Sequence, residues 1–173
     1  MTSVDKLFDE AEIATRVEAL AQEIAEAMPA DFLVVGLLKG SFVFVADLMR
    51  AFHRRGLAPG VDFIRLGSYG NGTESSGDVR LLGDADIDVS GRAVLLVDDI
   101  VDTGRSLAFA RDLLRERGAT QVKTCALLDK PSRRVVDIAA DFVGFTIDDV
   151  FVVGYGIDYA ENYRQLSYIG HVT

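Results

Sequence analysis

The chain has one cysteine, Cys125, among its 173 residues. No disulfide can close within it, and metal sites built on several thiolates are excluded. Cys125 lies in the apolar run "VKTCALL", where a thiol behaves as a small core side chain. Histidine is nearly as scarce: His53 and His171 are the only two, neither sits in a cluster of ligating residues, and both read as non-catalytic. Positive charge is also short, with 18 Lys and Arg against 27 Asp and Glu, a net charge of −9 and a pI near 4.6. That balance disfavours a general binder of nucleic acid or anionic membrane, while leaving room for a local basic site. No window holds the roughly 18 uninterrupted apolar residues that a membrane span needs. The opening "MTSVDKLFDEAEIATRVEAL" is acidic and lacks the basic-then-apolar layout of a secretory leader. Repeats, low-complexity tracts and linkers are lacking too. A cytoplasmic protein without a membrane partner is expected.

What is present is apolar side chain, 49% of the residues, enough for one core and a single domain over 1–173. Ile13, Val17, Leu20, Ile24 and Met28 fall three or four apart, one stripe of a helix over 9–28 that Pro29 ends. "FLVVGLL" (32–38) is apolar throughout, the mark of a strand covered on both faces. A helix over 41–56 is expected, with Ser41 as its N-cap, then a strand over 61–70. "NGTESSGDV" (71–79), rich in glycine and hydroxyl or amide side chains, has the composition of a mobile loop. A turn at "SGR" leads into a central strand, "AVLLVDD", and a helix over 104–118 capped by Gly118. Strands follow at "VKTCALLD", "ADFVGF" and "VFVVGYG". This alternation predicts an α/β fold, a mostly parallel sheet with helices on both faces.

The chemistry concentrates in "VLLVDDIVDTGRSL" (94–107). A buried strand ends by placing Asp98, Asp99 and Asp102 close together, although clustered carboxylates repel and are costly to dehydrate. Ligands of open α/β sheets bind beyond the carboxyl ends of the strands. The glycine turn that follows feeds a helix, so backbone N–H groups there can cradle a phosphate, with the Thr103 and Ser106 hydroxyls as extra donors. A ribose phosphate would satisfy both the acids and the turn, and Mg²⁺ could moderate the repulsion between the acids. An Asp-Asp pair alone is more often a solvated strand end or a helix cap. The whole string is much more specific.

That string resembles the phosphoribosyl-pyrophosphate-binding segment of the type I phosphoribosyltransferases. "LLKGSFVF", "GSYGNGTESSGDVR", "LLDKPSRR" and "DFVGFTIDDVFVVGYGIDYAENYRQL" are similar, in order, to stretches of the hypoxanthine-guanine branch, from about residue 8 to 170. The resemblance implies that family's fold: a central sheet flanked by helices, a flexible loop over the active site and a small hood built from the terminal segments. It implies transfer of 5-phosphoribose from phosphoribosyl pyrophosphate to N9 of hypoxanthine or guanine, giving IMP or GMP and pyrophosphate, with Mg²⁺ as cofactor.

Residue by residue, the resemblance gives Asp98 and Asp99 the ribose hydroxyls, directly or through Mg²⁺, and Asp102 the role of base near purine N7. The first acid is often Glu in the family; Asp98 is one methylene shorter. Thr103, Gly104, Arg105 and Ser106 would bind the 5-phosphate. The backbone around Lys39 and Gly40 would bind pyrophosphate, beside a non-proline cis peptide between Leu38 and Lys39, and Arg164 would help neutralise it. Ser68 and Tyr69 would touch the pyrophosphate side from the loop at 68–80. Asp158 would reach a second Mg²⁺. Lys130 would donate to the 6-oxo group, Phe151 would stack on the purine, and Val152 would offer its backbone to the Watson–Crick edge. Val150 stands where many relatives have lysine. The resemblance also implies a homodimer or homotetramer.

Other readings of the residues remain at this point. Lys39 could be an ordinary surface lysine, Phe151 plain core, and 68–80 an ordinary surface loop. A transferase for another base, an RNA-binding regulator similar to the pyrimidine attenuation proteins, or a sugar-phosphate binder without turnover would each share the phosphate turn. The low pI disfavours RNA.

Overall fold

A computed structural model describes residues 2–68 and 78–173. Its centre is a six-stranded sheet in the order β4-β3-β2-β5-β6-β7. These strands are β2 (Leu33–Leu38), β3 (Gly60–Ser68), β4 (Val79–Gly83), β5 (Ala93–Val101), β6 (Gln121–Asp129) and β7 (Phe142–Thr146). All neighbours are parallel except β4, which runs antiparallel to β3. Successive side chains of a strand face opposite sides. Val34, Leu95 and Val97 therefore join one apolar cluster, while Val35, Val94 and Leu96 join the other. Helices α1 (Glu10–Ala27) and α2 (Phe42–Arg54) cover the first face, and α3 (Arg105–Glu116) covers the second.

The stripe expected on α1 is buried at Ile13, Val17, Leu20 and Ile24. Its start is a capping box: the Glu12 N–H donates to Asp9 Oδ1 at 2.8 Å, and the Asp9 N–H donates to Glu12 Oε2 at 2.8 Å. Gly118 ends α3 as expected, with φ +92° and the paired bonds Ala119 N–H to Leu114 O and Gly118 N–H to Arg115 O. Ser41 departs from the expected N-cap. Its backbone is already helical, so its hydroxyl turns back and donates to the Leu37 carbonyl at 2.6 Å, tying α2 to the end of β2.

A second, three-stranded sheet of order β1-β9-β8 is built from β1 (Val4–Phe8), β8 (Val152–Val153) and β9 (Ile169–Val172). It is the hood of terminal segments. The strand expected over 150–156 shortens to two residues because Gly154, Tyr155 and Gly156 all turn to positive φ. The expected strand over 61–70 is seen to Ser68; Tyr69 and the loop expected over 71–79 lie outside the described residues up to 77.

Candidate active site

The sheet order reverses between β2 and β5, which are adjacent, with β3 on one side and β6 on the other. A crevice opens beyond the carboxyl ends of strands at such a point. Register places Gly36 beside Val97, so the turn after Leu38 lies against Asp98 and Asp99. The Leu38–Lys39 peptide is cis. A Cβ built on Gly40 would lie 1.9 Å from Asp99 Oδ2, so only glycine allows the β2 turn this close to the acid.

Two cavities adjoin here and share Asp98, Asp99, Leu37, Leu38 and Leu66. One, about 260 Å³, is lined further by Asp102, Thr103, Gly104 and Ser106. The other, about 320 Å³, is lined further by Lys39, Gly40, Asp158, Glu161 and Arg164. A larger cavity of about 730 Å³ lies between α1, α2 and residues 164–167, away from the acid pair. On its wall, the Tyr155 hydroxyl donates to Asp47, and burial followed by that bond pushes the phenol's pKa up.

Asp98 is buried, and that burial, then the neighbouring charge of Asp99, push its carboxyl well above the usual range. Gly104 holds φ +88° just before α3, where a Cβ would meet Ile138 Cγ2 at 2.6 Å. This left-handed residue swings the chain from β5 into α3 and sets the N-terminus of that helix, at Gly104 and Ser106, on the wall of the smaller cavity. The Arg105 N–H lies 3.4 Å from Thr103 Oγ1, and Val135 and Val136 donate to the Thr103 carbonyl at 2.9 and 3.1 Å.

Asp102 pairs with Arg133 Nε at 3.1 Å. The Arg133 guanidinium also lies 3.7 Å from Asp149, whose carboxylate is 3.9 Å from Lys130 Nζ. A chain of alternating charge therefore connects Asp102 to Lys130, whose residue is only 7% exposed. Arg134 forms an ion pair with Asp129 and reaches the Asp102 carbonyl at 3.4 Å. Phe151 is 53% exposed and meets the Tyr159 ring edge-on at 5.3 Å, so it is not core. The Phe151 carbonyl accepts from the Val172 N–H at 2.8 Å. Backbone groups alternate in direction along a strand. The N–H and C=O of buried Val152 thus point away from β9, along the open edge of the small sheet.

Asp158 accepts from the Glu161 N–H at 2.8 Å and lies 3.3 Å from Arg164 Nη2. Among the described residues no group of three or more acids, histidines or cysteines could hold a metal ion. The donor set suits a hard cation of another kind. Mg²⁺ is usually held by one or two carboxylates and completed by substrate oxygens and water. Asp98 and Asp99 offer one such pair and Asp158, across the cavity, a single carboxylate; a cation at the pair would offset the cost of burying Asp98 beside Asp99.

Most of the residues singled out in the sequence thus line two connected cavities or the charge chain leading from them. Of Ser68 only the backbone is described, and Tyr69 lies outside the described residues. Arg133, Arg134, Asp149 and Glu161 were not singled out. Nothing in the spacing of "LLDKPSRR" says which acid each arginine faces, and Glu161 meets Lys39 across 122 positions of chain.

Comparison with known proteins decides the family. Residues 3–160 match the family model described as the phosphoribosyl transferase domain. This chain belongs to the phosphoribosyltransferase family. It is 46% identical to the hypoxanthine phosphoribosyltransferase of Escherichia coli (strain K12), over 98% of this chain and 96% of that one. It is 46% identical to the hypoxanthine-guanine phosphoribosyltransferase of Bacillus subtilis (strain 168), over 95% and 90% of the two chains. A crystal structure of a hypoxanthine-guanine phosphoribosyltransferase from Bacillus anthracis superposes with a TM-score of 0.91 at 44% identity, covering 98% of each chain. The sheet, covering helices and hood of this phosphoribosyltransferase are therefore those of the type I fold.

Proposed function

We propose that this phosphoribosyltransferase is a purine salvage enzyme that moves 5-phosphoribose from phosphoribosyl pyrophosphate to N9 of hypoxanthine or guanine, releasing pyrophosphate. The observation that carries the reading is the meeting of three features in adjoining cavities: the helix N-terminus after Gly104, the Asp98–Asp99 pair, and the cations Lys39 and Arg164. Each suits a different part of one substrate, the 5-phosphate, the ribose hydroxyls and the pyrophosphate.

In this reading the backbone and hydroxyls of Thr103, Gly104, Arg105 and Ser106 bind the 5-phosphate. Asp98 and Asp99 hold the ribose hydroxyls. The backbone at Lys39 and Gly40, with Arg164 nearby, takes the pyrophosphate. Asp98 and Asp99 would hold one Mg²⁺ and Asp158 would reach a second, and such ions would supply positive charge to the departing pyrophosphate. Lys130 donates to the 6-oxo oxygen; an ammonium has no acceptor for the 6-amino group of adenine. Phe151 stacks on the purine, and the Val152 backbone meets its Watson–Crick edge. Asp102 takes the proton near N7 as the glycosidic bond forms. Ser68 and Tyr69 would touch the pyrophosphate side, where exclusion of water would protect the cationic ribosyl centre. One domain carries the whole site, and the enzyme works in the cytoplasm as a homodimer or homotetramer. Among the described residues no helix is long and apolar enough to cross a membrane.

The test is nucleotide formation from phosphoribosyl pyrophosphate and hypoxanthine or guanine in Mg²⁺. Product that disappears when a chelator is added is expected. Retained sugar-phosphate binding with no turnover on either purine would overturn the reading.

A further inference from the structure

The loop that carries Asp158 and Arg164 follows an unusual path. Ala160, Glu161 and Tyr163 hold φ of 51°, 64° and 75°, a conformation that non-glycine side chains rarely adopt. Paired backbone bonds between Tyr159 and Asn162, at 3.1 and 3.0 Å, hold it there. So do the Glu161 N–H on Asp158 and Arg164 Nη1 on the Gly156 carbonyl at 2.7 Å. The result is to turn the Glu161 side chain back over the β2 turn. Its Oε2 lies 3.2 Å from Lys39 Nζ and 3.4 Å from Arg164 Nη2. The Glu161 side chain is 66% exposed, and ion pairs of that kind contribute little to folding. Stability of the fold does not account for so constrained a loop.

Lys39 and Arg164 are the cations assigned above to the pyrophosphate, and Glu161 lines the same cavity. We infer that Glu161 is a built-in counter-anion of the pyrophosphate site: its carboxylate occupies Lys39 and Arg164 when the site is empty and is displaced when pyrophosphate arrives. The inference rests on the pyrophosphate reading of that cavity. An ordinary glutamate is charged at neutral pH, so the Glu161 carboxylate competes there for both cations. Entry of pyrophosphate exchanges one anion for another, which weakens binding and eases departure of the leaving group. Glu161 is thus a residue that sets affinity without touching the reacting atoms.

The test is calorimetric titration of the full chain with magnesium pyrophosphate, alongside IMP as a second ligand. Glu161→Gln keeps the shape and removes the charge, and should bind pyrophosphate about three- to tenfold more tightly, with IMP affinity unchanged. Glu161→Asp retracts the carboxylate by one methylene and should fall between Gln and wild type. In a Lys39→Ala background the gain from Glu161→Gln should shrink, because one of its two partners is gone. Equal or weaker pyrophosphate binding by Glu161→Gln would overturn the inference. So would a Glu161→Asp variant identical to wild type, since the effect would then come from net charge alone. Failure of pyrophosphate to bind even the wild-type chain would overturn the reading of the cavity, and this inference with it.

Discussion

Asp102 stands between two tasks. Its carboxylate faces the small cavity beyond β5, while Arg133 holds it at 3.1 Å. In the proposed role of base near N7 it would act mainly in the transition state. Asp102→Asn should therefore lower kcat by about 10²- to 10⁴-fold while leaving phosphoribosyl-pyrophosphate affinity nearly intact. Steady-state kinetics with separate titration of the sugar phosphate checks this, and an unchanged kcat would remove Asp102 from the role. Lys130 is different in kind, a buried ammonium with Asp149 as its nearest described counter-charge. Lys130→Ala should raise the purine KM about tenfold or more, the cost of a charged hydrogen bond, and spare the sugar phosphate. Weakening of the sugar phosphate alone would put the base pocket elsewhere. Cys125 is wholly buried, and desolvation pushes its thiol up, so little thiolate exists to react. A disulfide reagent should label it only at the rate of unfolding; fast labelling of the folded protein would contradict the packing.

At the scale of elements, the turn at Gly104 couples fold to site. A side chain there meets both a positive φ and Ile138, so Gly104→Ala should destabilise the protein by about 1–3 kcal/mol and weaken phosphate binding together. Thermal denaturation read against ligand titration separates the two effects; a stable variant with normal binding would contradict the account. Asp62 is a second structural joint. Burial acts to raise its carboxyl, but N–H donors from Phe63, Ile87 and Asp86 prevail and hold it below its ordinary value. Its contribution is therefore complete above the usual aspartate pKa of about 4 and is lost as pH falls through the lower folded value. Between pH 5 and 3 the wild type should lose more stability than Asp62→Asn; parallel losses would remove Asp62 from that role.

Elements were legible where burial imposes a pattern. The stripe of α1 and the all-apolar strands β2 and β5 are covered by protein, and their side chains show it. Strands β1, β4 and β9 were missed because they are short and lie partly in solvent, where no strong alternation is enforced. The Ser41 cap failed because preference for a residue type does not say whether the backbone there is already helical.

The whole molecule brings segments far apart in sequence to one crevice, and only part of this was legible. Motif resemblance led to Asp98, Asp99 and the Gly104 turn because they are contiguous in the chain. The pairings Asp102–Arg133, Lys130–Asp149 and Lys39–Glu161 depend on how β5, β6 and the hood meet, and no local spacing encodes them. The net charge of −9 also gathers meaning at this scale. In so acidic a molecule, Lys39 and Arg164 are a local gathering of positive charge beside the cavity, as a site proposed to take pyrophosphate requires. The central claim is that this crevice joins ribose 5-phosphate to a 6-oxopurine. It is tested most directly by one competition reaction, with phosphoribosyl pyrophosphate and Mg²⁺ offered an equimolar mixture of hypoxanthine, guanine, adenine, uracil and orotate, and the products identified by mass. The account predicts IMP and GMP with adenine, uracil and orotate left unconverted. AMP, UMP or orotidylate as the main product would contradict it.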